Sequence, residues 1–584
     1  MSQKKQSTVM EETEYIIVGE MTYRDHKNLI KLLIFIVVLI ITLTCLDLSK
    51  SLSYNKYERV QFESSGSTLY ANLYYPSKSV EFQEKQPLII YCHGIASKRD
   101  FDLRIPIEFT KRGFYVAALD YQGHGESGGN INKIDPITGI PALAQDCSRL
   151  LDKLETLPFY SNINSSQIGL IGHSLGGMVV LMNQALDQRF KVIVALAPLV
   201  NFNPPKYGFQ YNENLIKYIP VNLLNENNTQ NLLIIMHIND EALDFEDNAR
   251  KAQELTNCTV IPIEESLLGG GHQLFSDNVI IYSINWFEYY FFNSITKNGP
   301  ISITFYFNYV WIFLSIILLF IIIISLISVS GRIFFRNKQT ARNNIIPGHN
   351  DSILMNSKNR NNIFKSVVYI GAFLLNWLMF ERIFGIKGIL YGSLIFLLIY
   401  TSNKLLRYIK RSKSERNQQK IRELIKSQFN LKYIIFTIIC TAYLIGIYMI
   451  FSFNYPFGFI WPSNFVVHFT LGYLAFPIFL SIEILLRKVI YPRLSTFKSE
   501  GSKNRVLIIT SIIIMIILGL LMMRISHFPS VLFMLIIFLL IFIQNTKIMQ
   551  NVKSFYPVVL ISFSIIQIFF ATVLSNAIGV SIVL

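Results

Sequence analysis

The sequence predicts an α/β domain with a mostly parallel sheet, held between one N-terminal transmembrane anchor and an all-α C-terminal transmembrane bundle, about nine membrane helices in all. Three observations carry this. Hydrophobic residues make up 51% of the 584 residues and charged ones only 16%, far from the usual soluble balance. Between about residues 57 and 293, short apolar runs alternate with helical stretches. After Ile301, long apolar runs recur, separated by basic or uncharged loops. The chain divides into a cytoplasmic tail (1–28), an anchor (29–48), the α/β domain (52–297) and a multi-pass region (301–584).

The first element is "LIKLLIFIVVLIITLTCLDL", apolar for about 20 residues with no small-residue cleavage site after it, which reads as an uncleaved anchor. "YERVQFES" and "TLYANLYYP" then alternate apolar and polar residues about a turn at Gly66, as a half-exposed antiparallel hairpin does. "PLIIYC", "FYVAALD", "IGLIG", "KVIVALAP" and "LLIIMH" follow, each apolar on both faces. Strands of that kind belong in a parallel sheet covered by helices on both sides.

Apolar runs recur at about 303–330, 366–383, 385–401, 433–453, 464–486, 506–523, 528–544 and 556–577. The two runs around Glu381–Lys387 could also form one bent or re-entrant element. Lys and Arg gather at 332–365, 404–416 and 487–505, whereas "NYPFGFIWPSN" carries no charge. By the positive-inside rule the N-terminus is cytoplasmic and the α/β domain lies on the extracytoplasmic side. Asn376, Glu381, His468, Glu483 and Gln567 fall within these helices and could line a polar path, although Glu381 and Glu483 sit near helix ends where interfacial water would solvate them.

The net charge of +15 does not mark a nucleic-acid surface. Residues 52–297 hold 19 Lys and Arg against 26 Asp and Glu, so the basic excess belongs to the membrane part. The five cysteines show neither a CxxC pair nor regular spacing, and no metal or cofactor motif is present. The expected partners are a small-molecule, lipid or peptide substrate and membrane lipid; no feature sets an oligomeric state. Sequons at Asn164, Asn227 and Asn257 lie in the domain placed outside.

The chemistry centres on Gly172–His173–Ser174–Leu175–Gly176, where "IGLIG" ends and a helical stretch begins. A serine at such a sharp turn projects above the sheet, small neighbours allow the turn, and the Leu175 N–H can face an oxyanion. The hydroxyl needs a histidine to take its proton and that histidine needs an acid, in the chain order Ser, acid, His. Asp240 closes a strand, with Glu241 and Asp244 near enough to compete, and His272 follows three glycines. His93 and Gly94 end another strand, which makes the N–H of Ile95 the second oxyanion donor.

With "YCHGIAS", "LDYQGHGESGG", "GHSLGG", "MHINDEALDF" and "GGGHQLF" assembled, residues 57–293 resemble the α/β-hydrolase superfamily, in its monoglyceride-lipase and serine-aminopeptidase-like branch. The resemblance implies that Ser174 is the nucleophile, Asp240 the acid, His272 the base, and Ile95 with Leu175 the oxyanion hole. It also implies that Asp120, Gly123, His124, Gly125, Ser127 and Gly128 form a structural turn in which His124 packs. "MHIND" departs from the usual His-Gly-x-x-Asp of relatives, and only about 33 residues separate "VIVALAP" from "LLIIMH", a short lid. The expected activity is a membrane-bound serine hydrolase cleaving an acyl ester. Its alternatives are a peptidase or acyltransferase of the same fold, or a transporter or sensor whose hydrolase-like domain is regulatory.

Overall fold

The computed structural model of the protein describes residues 23–77, 85–95, 97–265, 271–295, 299–339, 355–384, 386–411, 429–454, 465–496, 500–522, 528–552 and 554–573. The predicted tail therefore lies almost wholly outside the described residues. The first helix, α1 (Tyr23–Ser53), passes straight into strand β1 (Tyr54–Ser64) without a linker. β2 (Ser67–Pro76) pairs with it antiparallel through Ser65 and Gly66, both at positive φ. Two such residues in succession suit the twist of a two-residue hairpin.

The remaining strands are β3 (Gln86–Cys92), β4 (Tyr115–Asp120), β5 (Ile163–His173), β6 (Val192–Leu196), β7 (Leu232–His237) and β8 (Thr259–Ile263). Their spatial order is β1-β2-β4-β3-β5-β6-β7-β8, antiparallel up to β4 and parallel from there on. This is the α/β-hydrolase arrangement. β3, β4, β6 and β7 are almost wholly buried, as their unbroken apolar runs require. β8, "TVIPI", has no such run: it forms the edge, half exposed, where Pro262 costs the sheet little.

Helices α2 (Arg104–Thr110), α3 (Asp146–Glu155), α4 (Leu175–Leu186), α5 (Glu213–Tyr218), α6 (Pro220–Leu223) and α7 (Lys251–Thr256) connect the strands, and α8 (Asp277–Phe292) follows β8. α2 and α8 pack together through Phe109 and Phe287. The mutually parallel strands β3 to β8 all end toward one edge, opposite to the end of β2.

Beyond the domain, α9 (Phe305–Gln339) packs along α1, with Leu46 against Ile312. α10 (Met355–Phe384) and α11 (Ile386–Arg411) form a hairpin of two helices, not one bent element. Asn376 donates to the Gly392 carbonyl at 2.8 Å, and the Trp377 indole donates to Ser393 Oγ at 3.0 Å. Further helices span Leu431–Asn454, Glu500–Met522, Phe528–Asn551 and Tyr556–Val573. The run expected as one helix at 464–486 tightens at Tyr473–Ala475, just before Pro477, whose ring nitrogen cannot extend the ladder.

Glu483 is not solvated at a helix end. It is buried, ion-paired with Arg487, and accepts from Asn545 Nδ2 at 2.9 Å. Gln567 is also buried, packed on Gly472. The side chains of Glu381 and His468 fall outside what is described. Three helices among the described residues are long and apolar enough to cross a membrane: Leu29–Ser53, Phe305–Phe335 and Lys387–Leu406.

Candidate active site

The site assembles from the turn between β5 and α4. Ser174 sits there with φ 56° and ψ −118°, a backbone that non-glycine residues rarely adopt. The strain is held by a 2.8 Å hydrogen bond from Ser174 N to the Leu196 carbonyl and by close packing of the flanking glycines. A Cβ on Gly172 would stand 2.2 Å from the Gly176 oxygen, and one on Gly176 would stand 2.2 Å from the Cys92 oxygen. These glycines let the turn press directly onto the end of β3.

That contact also brings in the predicted oxyanion loop. Cys92 pairs with Gly172 in the sheet, and a Cβ on Gly94 would lie 3.5 Å from Ser174 Cβ. Ile95 follows, half-exposed at the mouth of the site, and Leu175 opens α4. His93, stacked on Tyr121, faces away from the serine: its Nε2 lies 3.4 Å from Asp120 Oδ1 and its Nδ1 2.8 Å from the Gly94 oxygen.

His272 Nε2 is 2.9 Å from Ser174 Oγ, and its Nδ1 is 2.7 Å from Asp240 Oδ2. The other Asp240 oxygen accepts from the amides of Ala242 at 2.8 Å and Leu243 at 2.9 Å. Burial alone would raise this carboxyl's pKa. The hydrogen bond and charge of His272 and the two amides outweigh burial and hold it below the usual carboxylate range. An ionised Asp240 fixes the proton of neutral His272 on Nδ1 and leaves Nε2 free to accept from the serine.

The competing acids occupy other positions. Glu241 Oε2 accepts from the backbone N–H of His272 at 3.0 Å, and Asp244 Oδ1 accepts from Asp247 N at 2.9 Å in the turn leading to α7. His124 packs at a tilt against Tyr121 and shares a 3.1 Å hydrogen bond with the Gln122 carbonyl; burial pushes its pKa down to about 3. Asp120 accepts from the amides of Arg99 at 2.6 Å and Glu126 at 3.1 Å, while its backbone oxygen accepts from Ser127 Oγ, so this segment works as a turn.

Two further side chains, neither among the expected site residues, support the histidine loop. His173 Nε2 lies 2.8 Å from the His272 carbonyl; burial pushes its pKa down to about 3, so the ring is neutral and donates through Nε2. Arg104, paired with Asp102 at 2.7 Å, donates to the carbonyl of Leu274 at 3.0 Å. Leu274 has φ 49°, so Arg104 holds a strained residue two positions after His272. His173, next to the serine, could have been noticed; Arg104 acts across 170 residues and has no local signal.

Comparison with known proteins finds relatives for part of the α/β domain. A family model described as serine aminopeptidase, S33, matches residues 83–244, a stretch holding Ser174 and Asp240 and stopping short of His272. An uncharacterized 31.7 kDa protein in the traX-finO intergenic region of Escherichia coli is 36% identical over 112 residues, which are 19% of this chain and 37% of that one. Platelet-activating factor acetylhydrolase of Cavia porcellus is 26% identical over 172 residues, covering 22% of this chain and 39% of its own length. The chain thus spans less than two fifths of these curated relatives. An acylaminoacyl peptidase of Pyrococcus horikoshii aligns with a TM-score of 0.33 and 16% identity, over 40% of this chain and 41% of that one. In its strand order and along residues 83–244, the α/β domain is similar to α/β hydrolases.

Proposed function

We propose that this chain is a membrane-bound serine hydrolase that cleaves an acyl ester outside the cytoplasm through an acyl-enzyme. The single observation that carries the reading is the continuous hydrogen-bonded line Ser174–His272–Asp240. Ser174 Oγ attacks the acyl carbon while His272 Nε2 takes its proton, and the Ile95 and Leu175 amides receive the charge on the former carbonyl oxygen. The tetrahedral adduct collapses, the C–O bond to the alcohol breaks, and His272 returns the proton to the leaving oxygen. Water, deprotonated by the same nitrogen, then frees the acid and regenerates the serine. Asp240 stays ionised throughout and steadies the imidazolium.

The three long apolar helices and the basic loops between predicted membrane runs support a multi-pass protein of about nine helices with a cytoplasmic N-terminus. Anchored close to lipid, the site favours lipid-like acyl esters. A peptide or aminoacyl amide is the second reading, favoured by the similarity of residues 83–244 to serine aminopeptidases. The test is hydrolysis by the purified full chain of fluorogenic acyl esters and aminoacyl amides, beside Ser174→Ala. Ester turnover lost in the variant supports the first reading; turnover of amides alone supports the second. Turnover unchanged in Ser174→Ala would remove both.

A further inference from the structure

We infer that the catalytic edge of the sheet faces the bilayer surface, so that Ser174 meets its substrate from the lipid side. The inference rests on the membrane-bound hydrolase reading and deepens it, because it follows from the direction in which α9 leaves the domain.

β3 ends at Cys92 and β4, parallel to it, begins at Tyr115, so the segment between them must return from the catalytic edge to the opposite one. α2 makes that return: Leu103 stands at the catalytic edge and Thr110 toward the far edge. α9 runs beside α2 in the reverse direction. Its start is held low, with the amides of Thr304 and Phe305 each donating to a Glu108 oxygen at 2.7 Å. One turn later the Leu103 amide donates to the Tyr309 hydroxyl at 3.0 Å. Between these two levels α9 climbs toward the catalytic edge, and Arg104, next to Leu103, reaches the carbonyl two residues beyond His272.

α1 agrees. Its last turn lies low, where Thr110 Oγ1 donates to the Ser53 carbonyl at 2.9 Å, while Leu46 packs on Ile312 higher up α9. Both apolar helices therefore project past the catalytic edge. At ~1.5 Å per residue, α9 extends about 39 Å between Tyr309 and Phe335, enough for a hydrocarbon core of about 30 Å. Phe307 and Val310 are exposed on the helix surface.

The edge that would meet the lipid carries an apolar rim. Phe275 and Ile238 stand exposed beside the histidine and acid loops, Ile137 is 92% exposed on the loop after β4, and Tyr211 is 76% exposed on the short cap. Large side chains left that bare are costly in water and fit the headgroup–acyl boundary, where aromatic and aliphatic residues settle. The occupant is the bilayer itself, because the two helices continuous with the domain lead into it on this side.

The test places an environment-sensitive fluorophore at single introduced cysteines in the full chain, in a Cys45→Ser background, reconstituted in phosphatidylcholine nanodiscs. Ile137→Cys and Tyr211→Cys report the catalytic edge. Ser161→Cys and Gln188→Cys report the opposite edge, about 20 Å away across a strand of six residues at ~3.3 Å each. A nitroxide on the lipid headgroup should quench the first pair at least threefold more than the second. Equal quenching, or stronger quenching of the second pair, overturns the orientation. Fluorophosphonate labelling of the same samples separates the two claims: a labelled Ser174 without the quenching contrast sinks the orientation alone. The contrast with an unlabelled serine supports the orientation and sinks the hydrolase reading.

Discussion

Replacing Asp240 by Asn tests the assignment of the acid at the level of one proton. Asp240 Oδ1 accepts two backbone amides, from Ala242 and Leu243, and only an oxygen can satisfy them. The Asn side chain must therefore leave its oxygen there and turn its NH2 toward His272 Nδ1. That nitrogen then has to accept, the ring proton moves to Nε2, and Nε2 can no longer take a proton from Ser174. The fold is kept while the base is in the wrong tautomer, an effect worth about 10⁴ in kcat, or about 5.4 kcal/mol of transition-state stabilisation. Glu241→Gln preserves an oxygen for the His272 amide and should cost less than about tenfold, in line with one hydrogen bond worth ~1 kcal/mol. The assay is turnover of a fluorogenic ester at neutral pH, with the rate of fluorophosphonate labelling read in parallel. Asp240→Asn within tenfold of wild type, or Glu241→Gln the more damaging of the two, would refute the reasoning.

Other outcomes follow from the same geometry. Arg104→Met should lower kcat more than it changes KM, by about 10- to 100-fold (~1.4–2.7 kcal/mol), because it releases the loop behind His272; Arg104→Lys should recover part of that loss, and a change in KM alone would argue against a positioning role. Gly176→Ala puts a methyl 2.2 Å and 2.4 Å from the backbone oxygens of Cys92 and His93, so thermal unfolding should report a loss of about 3 kcal/mol or failure to fold; a native Tm would contradict the packing. Stability should fall as pH drops below about 6.5, the unperturbed histidine value. His124 and His173 are buried neutral with pKa values near 3, so across that window the unfolded chain binds more protons than the folded one. Tm measured from pH 7.5 to 4.5 checks this, and a rise in Tm over that span would contradict it.

The parts of the fold legible in the sequence are those whose physics is local. Four strands buried on both faces and the buried second half of β5 are written as unbroken apolar runs, and the Ser174 turn as glycines that the pressed backbones of Cys92 and Gly176 require. β8 was illegible because an edge strand needs no apolar run and tolerates Pro262. Asp240 and Glu241 could not be separated by spacing, since both are polar residues at the end of one strand. What divides them is the side chain or amide of His272 that each reaches, 32 and 31 residues away. Glu483 reads as solvated until Arg487, one helical turn on, and Asn545, 62 residues on, are found around it.

The central claim is that Ser174 is activated by His272. Labelling of the solubilised full chain with a fluorophosphonate probe, beside Ser174→Ala and His272→Ala, tests it most directly. The account predicts labelling of the wild type that vanishes in both variants. Labelling that survives Ser174→Ala, or a folded wild type that never reacts, would contradict it.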